Sequence, residues 1–395
     1  MIPKIKKLAI VSTHPIQYNA PLFRLLAERS KLAVKVFYTW GQAQDAVYDP
    51  GFGKERRWDI PLLEGYDYLF LPNTAKDPGS HHFGGIVNPT ILTELQAYQA
   101  DAILVYGWSF RSHLQVLRYF KGKVKLLFRG DSNLLDEPTD FSLKKVLRRL
   151  FLSWVYRQVD TALYVGTANR AYYQRHGLRG DKLVFAPHAI DNDRFAGDAE
   201  ARASAARSWR SHLGIPAEAL VFLFVGKLEA KKNPRLLLEA FGQIKHPDAR
   251  LLFVGNGPEE SLLKAQATTN PRVLFIDFQN QQQMPLVYRL GDVLVLPSQG
   301  PGETWGLAVN EAFACARPAI VSDKVGCAAD LVQPGRSGWI FPSGELQALR
   351  KSMEAALAMG KDGLAVLGRQ AHQVIQSWSF TVIAEALEKT VNHAD

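Results

Sequence analysis

The chain has 395 residues, 47% of them apolar and 22% charged, a length that suits two or three domains and a composition ordinary for soluble globular proteins. No apolar run reaches the roughly 18–20 residues that cross a bilayer, and Cys315 and Cys327 supply neither a disulfide framework nor a metal-ligand spacing. The net charge of +9, from 47 basic and 38 acidic side chains, calls for an anionic partner such as nucleotide phosphate, anionic lipid or nucleic acid.

The N-terminus, MIPKIKKLAIVSTHPIQY, has lysines before an apolar run, as a signal peptide does. The run from Leu8 to Val11 is too short for that and reads as a first buried strand. The two cysteines read as small buried fillers in a reducing cytoplasm. Strands are expected at Lys7–Ser12, Leu32–Tyr38, Asp67–Leu71, Ala102–Tyr106, Lys125–Arg129, Thr161–Val165 and Leu183–Ala186. Helices fit between them at Ala20–Arg29, Pro89–Gln99, Phe110–Phe120, Ser142–Gln158 and Ala168–His176. From Gly197 to Arg210 an alanine- and arginine-rich stretch reads as a linker with a short helix.

The alternation then starts afresh, with strands at Val221–Val225, Arg250–Val254, Val273–Ile276, Val293–Leu296, Pro318–Ser322 and Gly338–Phe341. Helices are expected at Pro234–Ile244, Glu259–Thr268, Met284–Leu290, Gly306–Ala316, Gly344–Ala358, Ala365–Gln376 and Phe380–Val391. Strands alternating with helices predict two parallel α/β sheets, with a cleft between them and ligands outside the strands' carboxyl ends.

The loops at those ends carry the chemistry. After the first strand comes Ser12-Thr13-His14-Pro15-Ile16-Gln17-Tyr18-Asn19, without the GxGxxG of a dinucleotide site. His14, Gln17 and Asn19 suit a hydroxylated ligand, or an ordinary turn bonding its own backbone. Tyr106 ends the fourth strand. Arg129 and Asp131 end the next, suited to sugar hydroxyls or phosphate, or equally to a structural ion pair. Gly226-Lys227-Leu228-Glu229-Ala230-Lys231-Lys232-Asn233 puts lysines in a glycine loop, natural counter-ions for a diphosphate. Gly255 and Gly257 follow the next strand and would let a ligand approach the backbone. Strand Val293–Leu296 runs into PSQGPGETWGLAVNEAFACARP, where a Pro/Gly loop opens a helix and Glu303 and Glu311 stand with seven residues between them. The unpaired N–H groups of a first helical turn make a site for an anion, beside which an acid can hold hydroxyls.

Segment 141–158, FSLKKVLRRLFLSWVYRQ, is amphipathic. Leu143, Val146, Leu147, Leu150, Phe151 and Trp154 recur at helical spacing, and Lys144, Lys145, Arg148 and Arg149 fill the other face. It is either a surface helix covering its own sheet or an interfacial helix drawn to anionic lipid.

The run from Phe224 to Phe241, the Gly255-Asn256-Gly257-Pro258 turn, the Pro297–Ala312 stretch with its E-x7-E spacing, and Ser377-Trp378-Ser379-Phe380 together resemble the retaining family-4 glycosyltransferases, densely from Phe222 to Trp378. The resemblance implies an α/β GT-B fold, two Rossmann-like domains facing each other across a cleft. Residues 1–196 would bind the acceptor, 197–376 the nucleotide-sugar donor, and a helix in 377–395 would pack back on the first domain. It further implies that Lys227 and Lys232 neutralise the donor diphosphate, with Gly226 and Gly255 in the flanking turns. The backbone of Thr304, Trp305, Gly306 and Leu307 would cap the phosphates, Glu311 would bond the ribose and Glu303 the moving sugar. The base would lie near Val254, Ile276 and Phe278.

No metal and no cofactor are implied, since lysines and a helix N-terminus stabilise the leaving charge. Three departures point to a subfamily with its own acceptor: Tyr106 where the family often has His, Pro187-His188-Ala189-Ile190-Asp191 for its Pro-Asn-Gly-Val-Asp, and His14–Asn19 for its glycine-rich loop. Tyr106 joins Glu303, Lys232 and Lys227 as a candidate catalytic residue. His14, Gln17, Asn19, Arg129 and Asp131 are candidates for the acceptor.

The expected activity is sugar transfer to a glycan or lipid-linked acceptor in cell-envelope polysaccharide or lipopolysaccharide synthesis, in the cytoplasm or peripherally on the inner face of its membrane. The alternative is a nucleotide-sugar epimerase of the same fold. Nucleic acid is disfavoured as a partner, because the basic residues are dispersed and lack interleaved aromatic platforms.

Overall fold

The structure, a computed structural model, describes residues 5–41, 47–49, 54–56, 58–137 and 142–392. Residues 1–4, Phe141 at the start of the basic segment, and 393–395 at the end of the last helix lie outside the described residues. The chain forms two compact units. Unit 1 comprises Met1–Val47, Pro61–Pro187 and Phe380–Asp395; unit 2 comprises Tyr48–Ile60 and His188–Ser379.

In the first half the strands are β1 (Lys7–Ser12), β2 (Ala33–Tyr38), a short pair β3 (Val47–Asp49) and β4 (Lys54–Arg56), β5 (Asp67–Phe70), β6 (Ala102–Tyr106), β7 (Lys125–Arg129), β8 (Thr161–Tyr164) and β9 (Leu183–Phe185). In the second half they are β10 (Leu220–Val225), β11 (Ala249–Val254), β12 (Val273–Ile276), β13 (Val293–Leu296), β14 (Ala319–Ser322) and β15 (Gly338–Phe341). Unit 1 holds a seven-stranded sheet, β5-β2-β1-β6-β7-β8-β9, and unit 2 a six-stranded one, β12-β11-β10-β13-β14-β15. Every pairing in both is parallel. Helices cover both faces of such sheets, which is why Leu8–Val11 and all of β10 are buried.

Strand order fixes where a ligand can enter. In unit 1 the chain winds outward from β1 through β2, then returns to lay β6 on the other side of β1. In unit 2 it does the same around β10 and β13. Loops leaving those two neighbouring strands therefore diverge and open a crevice at their carboxyl ends.

Several elements differ from expectation. The 197–210 stretch is a full helix, Ala199–His212, held to unit 2 by Arg210, which bonds Asp292 Oδ2 at 2.7 Å and the Leu290 carbonyl at 2.8 Å. The change of unit falls at Pro187/His188 instead of 196/197, because helix Asn192–Ala196 packs with helices Met284–Leu290 and Leu307–Ala314 of unit 2. The two helices expected after Gly344 are both present within Leu346–Ile375, separated by non-helical backbone at Gly360 with φ +63°. The short β3–β4 pair has no counterpart in the expected strands.

Helix Leu143–Tyr156 buries Leu152, Val155 and Tyr156, not the stripe that spacing offered to the sheet. Leu143, Leu147 and Leu150 are 69%, 59% and 63% exposed, and Val146, Phe151 and Trp154 are exposed beside them. Among the described residues no helix is long and apolar enough to cross a membrane.

The last helix, Phe380–Asn392, belongs to unit 1 and packs on helix Ala20–Arg29. Ile383, Ala384, Leu387 and Val391 are buried. Arg29 grips Glu388 with two bonds, Nε to Oε1 at 2.6 Å and Nη2 to Oε2 at 2.9 Å. Lys6 and Lys125 donate to the carbonyls of Val391 and Thr390 at 3.2 and 2.7 Å, closing the helix's negative end. The Arg29 guanidinium holds the Glu388 carboxyl below its usual range, so this pair contributes stability at neutral pH that is lost as pH falls through that lowered value. Arg29→Met is expected to lower stability by about 2 kcal/mol or more near neutrality. In denaturant titrations the difference from the parent should shrink as pH falls through the lowered Glu388 pKa.

Candidate active site

The candidate donor residues gather at the carboxyl rim of unit 2, around the crevice between β10 and β13. After β10 the chain passes through Gly226, φ +144°, where a Cβ would meet Lys232 Cδ and Cε at 3.3 Å. The glycine supplies both the backbone conformation and room for the Lys232 stem to cross it. A 3-10 turn, Ala230–Lys232, then aims the lysine over the crevice. From the other side, the loop after β13 brings Glu303, 9% exposed, so that Lys232 Nζ donates to Glu303 Oε2 at 2.7 Å. Ser298 Oγ donates to the same oxygen at 2.9 Å. Ser298 is held in turn through its carbonyl, which accepts from the hydroxyls of Ser322 and Ser343. A second bridge, Gln299 N–H to the Lys231 carbonyl at 2.9 Å, ties the two loops by backbone. Lys227, half-buried, follows Gly226 directly.

Glycines after β11 serve packing. A Cβ at Gly255 would stand 2.1 Å from the Gly226 carbonyl oxygen, and one at Gly257 would stand 2.4 Å from that of Leu228. At both positions the neighbouring loop occupies the side-chain direction, so glycine is required there by packing alone. Asn256 makes the turn a support. Its Oδ1 accepts from Phe278 N–H at 2.8 Å, and its Nδ2 donates to Asp277 Oδ1 at 3.1 Å and Glu260 Oε2 at 2.9 Å. The half-buried Phe278 is thereby placed at the end of β12.

The Thr304–Leu307 segment is stitched to the loop after β14. A Cβ at Gly326 would fall 1.8 Å from the Thr304 carbonyl oxygen, and Cys327 N–H donates to the Trp305 carbonyl at 2.8 Å. Gly306, φ +94°, turns the chain into helix Leu307–Ala314. Trp305 is buried and acts as a strut: its indole N–H donates to Asn310 Oδ1 at 2.9 Å, Asn310 Nδ2 donates to the His188 carbonyl at 3.0 Å, and its ring lies 5.1 Å from that of Trp378. Glu311, one turn into the helix and 3% exposed, accepts from the Tyr288 hydroxyl at 2.5 Å. Tyr288 and Ser298 are therefore part of this site although no reading of motifs singled out their roles. Cys315 and Cys327 are free and buried, and burial pushes the Cys315 thiol up to about 11.

In unit 1 the candidate residues stand around its own crevice between β1 and β6. Three buried polar atoms there have no hydrogen-bond partner among the described residues: His14 Nδ1 after β1, Trp40 Nε1 after β2, and the Tyr106 hydroxyl at the end of β6. Register places them on one rim, since Ser12 pairs with Tyr38 and Val11 with Val105. The His14 and Trp40 rings meet edge-on at 5.3 Å. Burial raises the Tyr106 hydroxyl's pKa and lowers that of His14, so at pH 7 the tyrosine is a neutral donor and the imidazole is neutral. Buried polar atoms are nearly always paired, and an unpaired one costs about 1–3 kcal/mol. Three on one rim are groups whose bonding a hydroxylated ligand would complete.

His113 fixes that rim from beneath. Its Nδ1 donates to the Tyr106 carbonyl at 2.9 Å, its Nε2 lies 2.9 Å from Thr39 Oγ1, and burial holds its pKa down to about 4. Trp40 and His113 were not among the expected residues; a tryptophan two positions beyond a strand was the available signal.

Arg129 is corrected. It is 5% exposed, and its guanidinium donates to the carbonyls of Ala186 and Pro187 at 2.6 and 2.7 Å, holding the chain where it leaves unit 1. Asp131, two residues on, is half-buried. Asn19 occupies the N-cap position of helix Ala20–Arg29 without a side-chain cap bond, and Gln17 is half-buried in the same loop.

Residues 206–373 match the family described as glycosyl transferases group 1. The match covers less than half of the chain. The chain is 30% identical over 212 residues to a D-inositol 3-phosphate glycosyltransferase of Saccharomonospora viridis, covering 50% of this chain and 47% of that protein. It spans about half the length of the first curated relatives it matches. Among solved structures, sucrose-phosphate synthase from Thermosynechococcus elongatus superposes with a TM-score of 0.72 at 19% identity over 98% of both chains. Anabaena Alr3699/HepE, in complex with UDP and glucose, gives a TM-score of 0.71 at 18% identity over 98% of this chain and 99% of that one. These likenesses show the GT-B fold.

If Gly255 served ligand approach, Gly255→Ala would leave unit 2 intact and weaken binding. With the Gly226 carbonyl in its way, Gly255→Ala is expected to destabilise the protein itself by about 3 kcal/mol or more. Thermal unfolding without ligand checks this.

Proposed function

We propose that the chain is a retaining, metal-independent glycosyltransferase of family 4, moving a sugar from a nucleotide-diphosphate sugar to a glycan or lipid-linked acceptor of the cell envelope. The observation that carries this reading is the Lys232–Glu303 contact of 2.7 Å across the unit 2 crevice, beside Gly226 and the start of helix Leu307–Ala314. It puts a cation and a hydroxyl-binding acid side by side, as a sugar diphosphate requires. A diphosphate entering there takes Lys232 Nζ and the neighbouring Lys227 as counter-ions. Glu303 is then released to accept from the hydroxyls of the sugar. Glu311, set by Tyr288, serves the ribose.

The bond from the anomeric carbon to a diphosphate oxygen breaks, its electron pair leaving with the diphosphate. The acceptor hydroxyl oxygen bonds the same carbon, and its proton passes to the departing phosphate oxygen. The lysines and the first-turn N–H groups oppose that growing charge, a contribution on the order of 3 kcal/mol per donor in comparable sites. The GDP-mannose in one sequence relative's name and the UDP of the Anabaena structure support a nucleotide-sugar donor. His14, Trp40 and Tyr106 are the groups we assign to the acceptor side.

Lys232→Ala and Glu303→Ala are each expected to lower transfer from the preferred nucleotide sugar about a hundredfold or more. Lys232→Ala should also weaken nucleoside diphosphate binding in thermal-shift assays, while Glu303→Ala should retain it. Full activity of both variants would reject the donor site. Activity lost on chelation and restored by a divalent cation would reject metal independence.

The exposed stripe of helix Leu143–Tyr156, flanked by Lys144, Lys145, Arg148 and Arg149, supports a peripheral position on the cytoplasmic face of an anionic membrane. At about 1 kcal/mol per basic residue, reversing these four to Glu is expected to abolish sedimentation with phosphatidylserine liposomes. Unchanged sedimentation would confine the helix to unit 1.

A further inference from the structure

Between β5 and helix Ile91–Tyr98 the chain makes a long excursion that is tied down at both feet. Asn88, 1% exposed, donates from Nδ2 to the carbonyls of Thr39 and Pro72, both at 2.9 Å. Asn73 closes the excursion's neck: its Oδ1 accepts from Ala75 N–H at 3.1 Å and Val87 N–H at 2.9 Å, and its Nδ2 donates to the Gly85 carbonyl at 2.9 Å. Inside the neck the chain folds back on itself so tightly that a Cβ at Gly85 would stand 2.1 Å from the Gly79 carbonyl oxygen.

That reversal brings three side chains to one point. His81 Nε2 is 3.0 Å from Asp77 Oδ2, and His82 Nε2 is 3.4 Å from the same oxygen. In an extended chain, consecutive side chains point to opposite faces. Here both imidazoles, with ring centroids 4.6 Å apart, bring one nitrogen each to Asp77, that of His81 to the carboxylate and that of His82 between the carboxylate and the main-chain carbonyl oxygen, 3.0 Å from the latter. Among the described residues this is the one group of three His, Cys, Asp or Glu side chains whose ligand atoms all lie within 4.8 Å of one another. Tetrahedral zinc with bonds of about 2.0–2.1 Å sets its ligand atoms about 3.3 Å apart. The two Asp–His separations already stand near that edge length.

We propose that Asp77, His81 and His82 form a binding site for a borderline divalent cation, zinc by preference, on the rim of unit 1. Two imidazoles and one carboxylate match zinc, nickel or copper and do not match magnesium or calcium, which take oxygen ligands. Each imidazole binds through Nε2 with its proton on Nδ1, so the neutral ring supplies the lone pair and the carboxylate its charge. All three residues are exposed, which leaves the fourth position open to water or to an anionic oxygen. The site lies in the segment after β5, and the lysines assigned to the donor diphosphate lie in unit 2. Metal binding can therefore be measured without reference to sugar transfer.

The test is titration of the tag-free, full-length, chelator-stripped protein with zinc chloride against a chromophoric chelator. One zinc per chain is expected at about pH 7.5. The double variant His81→Ala/His82→Ala should abolish this binding, and Asp77→Asn should weaken it at least about tenfold. Circular dichroism of these surface variants should be unchanged. Absence of saturable zinc binding in the parent overturns the proposal, and so does unchanged affinity in the double variant. Unchanged affinity in Asp77→Asn overturns the three-ligand assignment.

Discussion

The contact between Lys232 and Glu303 is the constraint on which the rest of unit 2 depends. The loops that carry these residues leave neighbouring strands in opposite directions, and the pair spans the gap between them together with the Gln299–Lys231 backbone bond. Such a half-buried pair adds little net stability, because desolvation offsets most of the attraction. Its value is in keeping two charges side by side in a place where either alone would be costly. A ligand that brings its own negative charge can take over the lysine, and one that brings hydroxyls can take over the acid. The exchange leaves no buried charge unpartnered at either stage. Gly226, Ser298 and the serines behind it can then be understood as supports for that one contact.

The order of strands and helices was largely legible because apolar runs and glycine turns alternate cleanly. The excess of polar residues hid helix Ala199–His212, whose anchoring depends on Arg210 meeting Asp292 from a distant part of the chain. In the site, residue types and spacing marked Glu303, Glu311 and the lysines, but not what they touch. Glu311 meets Tyr288 from another helix. Gly255 faces the carbonyl of Gly226, a steric relation between two loops that neither loop's sequence reveals. Arg129 was open between a ligand role and a structural one until its carbonyl partners, Ala186 and Pro187, were in view. For helix Leu143–Tyr156, spacing showed an apolar stripe but could not say which side of the helix the sheet would take.

Unit 1 illustrates the converse. Its rim draws His14, Trp40 and Tyr106 from three strands, and nothing local to any of them announces that their polar atoms end up buried and unpaired. The supporting His113 comes from a helix, and it is neutral because it is buried. Such groups become visible only when every donor and acceptor is followed to a partner. The lack of one is then as informative as a motif.

Placing helix Phe380–Asn392 in unit 1 makes unit 2 an insertion within it. The ends of that insertion are clamped together, since Asn192 Nδ2 donates to the carbonyls of Ile375 and Trp378 at 3.2 and 3.3 Å. On the ribosome, the main body of unit 2 emerges as one continuous stretch and can close on itself. Unit 1 must wait, with Arg29 lacking Glu388 and the surface beneath the last helix uncovered, until all of unit 2 has been made. The half of the molecule that is translated first is thus the half whose folding is completed last.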